Sequence, residues 1–148
     1  MITYVNTFKT NILDPLDSLL ANEFNIPIHY DSDFEIRGTQ FFNITPISDE
    51  LIENRIGSEA RSYALSIRYY RHVSGKKAKN THITPSMEIA ERLKRLIKNN
   101  SNYTSGSTYY WHDAILDNVN YNLEDDDVSP DHVIVEALFN ATVEEVLS

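Results

Sequence analysis

The chain has 148 residues, and its 41% hydrophobic and 11% aromatic content is enough to build a folded core and excludes a disordered polypeptide. Its 22 acidic and 13 basic side chains give a net charge of −9, which disfavours general DNA binding because affinity for polyphosphate comes from basic side chains. The absence of cysteine excludes disulfides, thiolate metal sites and cysteine nucleophiles. We therefore expect one domain over residues 1–148.

The N-terminal residues carry neither the basic region nor the uninterrupted apolar run of a signal peptide. No stretch approaches the roughly 18 consecutive apolar residues that a membrane span needs. These two features predict a soluble intracellular protein with no membrane partner.

The first two dozen residues have apolar side chains at spacings of three and four, which predicts an amphipathic helix. The apolar positions are Ile2, Val5, Phe8, Ile12, Leu16, Leu19 and Leu20. Pro15 predicts a kink or a restart of this helix, with Asp14 as the cap of its second half.

Three short strands are predicted next, at residues 26–30, 34–36 and 40–47, and Pro46 bounds the third. Residues 49–60 form a polar connection that the pattern does not place. The clearest strand of the chain follows at Arg61 to Val73, where Tyr63, Leu65, Ile67 and Tyr69 lie on one face and mostly polar side chains on the other.

Residues 74–80 contain three lysines with Ser, Gly and Asn, which predicts a basic, flexible loop. Thr84 and Pro85 are typical of the N-cap and first position of a second helix. This helix buries Ile89, Ala90, Leu93, Leu96 and Ile97, exposes Arg92, Lys94, Arg95 and Lys98, and ends at residues 99–100.

The last third reads as a loop at 99–107, a long strand at 109–123 with a bulge or turn near 113–117, a polar hairpin at 124–130, and a clean alternation from Val133 to Val143. The order is helix, strands, helix, two strands. We predict an α+β fold with a mainly antiparallel sheet and two helices packed on one face. Its core combines both helices with Leu65, Ile67, Val135, Ala137 and Phe139.

No catalytic, cofactor or metal motif is apparent. The acidic run Glu124 to Asp127 lacks the alternating spacing of a calcium loop, and the five histidines lack metal-ligand spacing, which indicates strand-surface residues. His112 and Asp113 are adjacent but would point to opposite faces of a strand. We therefore expect a protein that is not an enzyme.

The charges are sorted along the sequence. Residues 55–98 carry 11 basic and 3 acidic side chains, residues 1–54 carry 2 basic and 9 acidic ones, and residues 99–148 carry 10 acidic and no basic ones. Patches of opposite sign favour docking of one copy on another. The predicted subunit interface places a basic segment against the acidic segment of a neighbour, with aromatic burial around two further side chains. Its residues are Arg68, Arg71, Lys76, Lys77 and Lys79; Glu124, Asp125, Asp126, Asp127 and Asp131; and Tyr70 and Trp111. For the three lysines, solvated charge is an equally good interpretation.

In element order and size, the stretches 2–20, 63–73, 84–98 and 109–143 resemble the tail terminator proteins of long-tailed bacteriophages. The resemblance implies a structural virion protein at the head–tail junction, assembled in the host cytoplasm. It implies a homo-oligomeric ring, a hexamer, that caps the tail tube, stops its polymerisation and offers a surface to the head-side connector. DNA would pass through the lumen without specific binding. The alternatives are another neck or head–tail connector component, or a small monomeric adaptor domain that binds one protein partner.

Overall fold

The computed structural model describes residues 1–30, 39–73, 76–122 and 132–147, with the side chains of residues 76–81 left aside. The predicted strand at 34–36 and the predicted hairpin at 124–130 lie outside the described residues. The elements are a π-helical segment Phe8–Leu13, α1 Asp14–Phe24, β1 Ile28–His29, β2 Gln40–Arg55, β3 Ser58–His72, α2 Lys76–Asn99, β4 Tyr103–Ser105, β5 Thr108–Asn122 and β6 His132–Val146. The predicted α+β class is confirmed. The strand predicted at residues 26–30 is present as the shorter β1, and β4 is additional, within the loop predicted at residues 99–107.

The N-terminal helix is shorter than the apolar periodicity predicts. Residues 1–6 are not helical, and Ile2 and Val5 are exposed, so their predicted place in the core is wrong. Helical structure begins as a π-helical segment and becomes regular at Asp14, next to Pro15. The backbone stays in the right-handed helical conformation through Leu13 and Asp14, and the Asp14 amide donates to the Lys9 carbonyl, so the predicted restart is a change from π-helical to α-helical bonding. The predicted cap at Asp14 is wrong, because Leu13 is the N-cap and no side chain caps the helix. Asn25, in the left-handed conformation at φ 53°, ends α1.

The described strands form one sheet in the order β1-β2-β3-β6-β5-β4. All neighbouring pairs are antiparallel except β1 and β2, which are parallel. Strand β2 continues through Pro46 to Arg55, so the predicted boundary at Pro46 is wrong. The unplaced residues 49–60 are the end of β2, a turn at Ile56 and Gly57, and the start of β3.

One sheet face carries the core. Leu65, Ile67 and Tyr69 of β3 pair with Phe139, Ala137 and Val135 of β6, and all six side chains are buried. They join one cluster with the buried side chains of α1 and α2, which are Leu16, Leu20, Phe24, Ile89, Ala90, Leu93 and Ile97. Phe8, Leu19 and Leu96 pack against that cluster while partly exposed. Apart from Ile2 and Val5, the predicted core residues therefore meet as expected.

The other sheet face is more buried than the alternation predicts. Ala64, Ser66 and Tyr70 of the central strand β3 are all buried, and the ring of Phe41 on the neighbouring strand stacks on Tyr70. His132 is also buried, with its ring 6.1 Å from that of Tyr70. His82 lies in α2. The interpretation of all five histidines as strand-surface residues is therefore wrong for these two.

Helix α2 begins at Lys76, eight residues before the predicted N-cap. Pro85 lies inside the helix, so the predicted boundary at Thr84 and Pro85 is wrong, as is the predicted loop over residues 76–80. The hydroxyl of Ser86 donates to the His82 carbonyl at 2.7 Å within the turn that contains the proline. Neither described helix combines the length and apolarity that crossing a membrane would require.

Candidate assembly surface

The distal part of the β2–β3 hairpin, residues 46–61, is called the arm, and its β3 strand pairs with β6 as far as Val146. Every residue from 46 to 57 is exposed, whereas residues 41–44 of the same strand are buried. The pairing with β3 shifts register between Pro46 and Ser48 and again between Leu51 and Glu53. The residue left over at each bulge is an isoleucine, Ile47 or Ile52. The arm is thus an extended hairpin that presents apolar side chains to the solvent.

The outer edge of the arm is poorly suited to pairing with another strand. Strand β1 covers β2 only at Phe42 and Asn43. Beyond that point, Pro46 lacks a backbone donor and two bulges interrupt the ladder, which are features that protect sheet edges from strand addition. Charged side chains on the arm add to this protection. A partner would therefore bind the arm through its side chains.

Both chain ends lie beside the arm. The amide of Leu147 donates to the Gly57 carbonyl at 2.7 Å, and the hydroxyl of Thr7 donates to Glu145 at 2.7 Å. We call residues 1–6, the arm and residues 144–147 together the arm end. Among the described residues, ten of the fifteen large apolar or aromatic side chains that are exposed belong to it. They are Met1, Ile2, Tyr4, Val5, Ile47, Leu51, Ile52, Ile56, Val146 and Leu147. Monomeric proteins rarely expose large contiguous apolar patches, so this concentration makes the arm end the candidate assembly surface.

The arm end is acidic, with six acidic and two basic side chains. Arg55 binds both carboxylate oxygens of Glu53 at 2.8 and 2.6 Å, and Arg61 binds Glu59 at 2.7 Å and Asp49 at 3.0 Å. The hydrogen bond from Arg55 lowers the pKa of the Glu53 carboxyl. Exposed pairs of this kind fix side-chain direction more than they stabilise the fold. The surplus of carboxylates leaves a negative field around the apolar residues.

A basic groove lies at the opposite edge of the sheet, between α2 and β5, with a volume of about 390 Å³. Its apolar floor includes Ala114 and Leu116 of β5 and Ile97 of α2, and its rim carries Lys94, Arg95 and Lys98 with Glu91. Ile115 pairs with Asn140, which pairs with Ala64, so the Ile115 side chain lies on the sheet face away from α2. The edge of β5 is covered as far as Ala114, whose amide donates to the Ser101 carbonyl at 2.8 Å, and no described strand pairs with that edge beyond Ala114.

Two of the predicted interface arginines are already engaged within the chain. Arg68 donates to Glu136 of the neighbouring strand at 2.6 Å. Burial lowers the pKa of Arg68, but the hydrogen bond and the charge of Glu136 outweigh it, so that the pKa lies above its usual value. Arg71 donates to Nδ1 of His82 at 2.7 Å and to the Tyr69 hydroxyl at 3.3 Å. A neighbour's carboxylates would have to displace these contacts.

The two predicted interface aromatics lie inside the molecule. Trp111 is fully buried and donates from Nε1 to the Asn100 carbonyl at 2.8 Å. Tyr70 is 7% exposed and stacks on Phe41 with ring centroids 4.8 Å apart. The prediction that Tyr70 and Trp111 supply interface area is therefore wrong, because they contact their own chain. The side chains of Lys76, Lys77 and Lys79, and the whole of Glu124, Asp125, Asp126, Asp127 and Asp131, lie outside the described residues.

His112 and Asp113 do not point apart as an undistorted strand requires. Asp113 has φ 53°, and a bulge between His112 and Ile115 turns its carboxylate back to His112 Nδ1 at 2.8 Å. Glu144 Oε1 lies 3.8 Å from Nε2 of the same ring. Among the described residues, no three histidine or carboxylate side chains are placed to hold a metal ion.

No protein-family model matches the chain, and a search of curated proteins finds no significant similarity. The candidate assembly surface is therefore supported by the geometry of the arm end and by no similarity to a known protein. Sequence analysis missed it because a proline and a polar run ended the predicted strand at Ile47. The signal that could have found it was Ile56-Gly57 between two runs of strand-compatible length.

Proposed function

We propose that this protein is a structural, non-enzymatic component that assembles with copies of itself through the arm end. The observation that carries the proposal is the concentration of ten exposed apolar and aromatic side chains on one acidic end of the molecule. Clustered apolar side chains supply binding free energy, while the surrounding charges orient the partner. Such a surface costs solubility in a protein that remains a monomer.

Within that class we propose a tail terminator of a long-tailed bacteriophage, located at the head–tail junction of the virion. The support is the resemblance in element order, together with the exposed apolar side chains of the arm end. In this role the protein forms a hexameric ring on the tail tube protein, stops polymerisation and contacts the head-side connector. The excess of acidic over basic side chains suits a lumen through which DNA passes without binding.

The first test is the mass in solution, measured by light scattering over a concentration series. Self-assembly predicts a multiple of 17.1 kDa. Ile52→Asp should raise the dissociation constant at least tenfold, because it places a charge on the apolar part of the arm. Met87→Asp is the matched control, since Met87 is similarly exposed but lies on α2. A mass that stays near 17.1 kDa would contradict self-assembly and favour the monomeric adaptor.

The second test addresses the role in the virion. Purified tail tubes mixed with labelled protein should carry the label at one end only, and tubes grown in its presence should be shorter. Mature particles should carry the label at the head–tail junction. Label along the whole tube, or its absence from mature particles, would contradict the terminator role. Label at the junction without any effect on tube length would indicate another neck component.

A further inference from the structure

We propose that the arm of one copy docks in the basic groove between α2 and β5 of the next copy. This rests on the proposed function, in that it assumes assembly with identical copies. Beyond the proposed function, it specifies which two surfaces of neighbouring copies contact each other. Every copy carries one arm and one groove, so the occupant of the groove is a segment of the same protein.

The charges of the two surfaces are complementary. The arm carries four acidic and two basic side chains, and the rim of the groove carries three basic side chains and one acidic one. Lys94 pairs with Glu91 on the rim. Arg95 and Lys98 are exposed and form no ion pair with any described residue. Glu50 on the arm likewise forms no ion pair with a described residue. Two positive groups are thus available on one surface and a surplus of carboxylates on the other.

The apolar parts of the two surfaces also match. The groove has an aliphatic floor with the partly buried Leu116, and the arm presents Ile52 at 57% exposure beside Leu51. Because the bulges on β2 disfavour strand addition, the arm would enter the groove with its side chains and not by extending the sheet. Aliphatic burial then supplies the affinity, and the rim charges direct the approach.

The position of the two surfaces fits a directional assembly. The arm continues the β2 side of the sheet, whereas the groove lies along β5, on the other side of β3 and β6. Arg92 of α2 binds Glu23 of α1 and lies 4.6 Å from the centroid of the Phe24 ring, so the α1-facing side of α2 is occupied. A contact between two different surfaces of one protein is heterologous, which gives a ring when the rotation closes.

The absence of cysteine from the chain allows a disulfide test of this contact. One variant carries Ile52→Cys in the arm and a second carries Leu116→Cys in the groove. On oxidation of an equimolar mixture we expect a disulfide-linked pair of the two variants in at least fivefold excess over the control mixture. In the control, Met87→Cys replaces Leu116→Cys, since Met87 is exposed on α2 but does not line the groove.

A charge-exchange experiment tests the same contact without oxidation. The variant Arg95→Glu/Lys98→Glu makes the groove acidic, and the variant Glu50→Lys/Glu53→Lys makes the arm basic. Each variant alone should assemble at least tenfold more weakly than the parent, because its own arm and groove then repel each other. Mixed one to one, they should recover assembly, since each arm meets a groove of opposite sign. Circular dichroism checks that both variants are folded.

The outcomes separate this inference from the proposed function. If the parent protein assembles, but the Ile52–Leu116 pair links no better than the Ile52–Met87 pair, the docking contact is wrong and self-assembly stands. Full assembly of each charge variant alone would overturn the contact in the same way. If the parent protein remains a monomer at every concentration, both proposals fail.

Discussion

The two halves of β2 belong to one strand and lie in opposite environments. In the first half, Phe42 and Ile44 pack against the helices, with Phe42 5.2 Å from Phe24, and Phe41 stacks on Tyr70 on the other sheet face. Residues 46–57 have no buried side chain, and six of these twelve residues are polar or charged. Their isoleucines and Leu51 are nevertheless exposed. The comparison shows that an apolar side chain of this strand is buried only where a helix or a flanking strand covers it, and it leaves apolar side chains on the arm whose burial requires a partner.

The largest expected effect contrasts a residue of the hydrophobic core with a residue of the arm. Phe139→Ala removes a fully buried ring and should lower the free energy of unfolding by about 3–5 kcal/mol. Ile52→Ala should change it by less than about 0.5 kcal/mol, because the side chain is exposed. Denaturant unfolding at concentrations where the protein is monomeric measures both values. A decrease of more than about 2 kcal/mol in the free energy of unfolding for Ile52→Ala would show that Ile52 packs against other residues of its own chain.

A smaller effect is expected at the turn that forms the arm. Gly57 has φ +78°, which side chains with a Cβ adopt only with strain. Gly57→Ala should therefore destabilise the monomer by roughly 1–2 kcal/mol. No atom beyond its immediate neighbours lies closer than 4.0 Å to the new methyl group, so the cost is conformational. Ser58→Ala, one residue later, is the control, and an equal effect of the two substitutions would contradict this explanation.

The smallest effect concerns the pH dependence of stability and involves His82 of α2, outside the arm. Burial, together with the nearby charge of Arg71 and the nearby His72, lowers the pKa of His82 below its usual 6.5. The unfolded chain then binds more protons than the folded one, so this group stabilises the fold above about pH 6.5, and the contribution is lost as the pH falls through the folded-state pKa. His82→Gln should flatten the pH dependence of the unfolding midpoint between pH 7 and pH 5. An unchanged slope would show that other groups dominate it.

The comparison also explains which predictions failed. The apolar periodicity of residues 2–20 is continuous, yet only the part from Phe8 onward reaches the sheet. Periodicity reports that a face is apolar and not whether a partner exists to cover it. Tyr70 and Trp111 were assigned to an interface for the converse reason, because aromatic side chains are common in interfaces as well as in cores.

The sequence by itself determined those helices and strands whose apolar face is covered by another element of the fold. The alternation in β3 and β6 and the spacing of Ile89, Leu93 and Ile97 in α2 were read correctly, because a surface buried on one side leaves a period of two or 3.6 in any fold. Tertiary structure decided the rest. Pro46 is accommodated because β2 is an edge strand at that point, and an edge needs no donor on its outer side. Three further features depend on residues that are distant in sequence, so no local pattern predicts them. They are the helix before Pro85, the contact of His112 with Asp113, and the exposure of the arm.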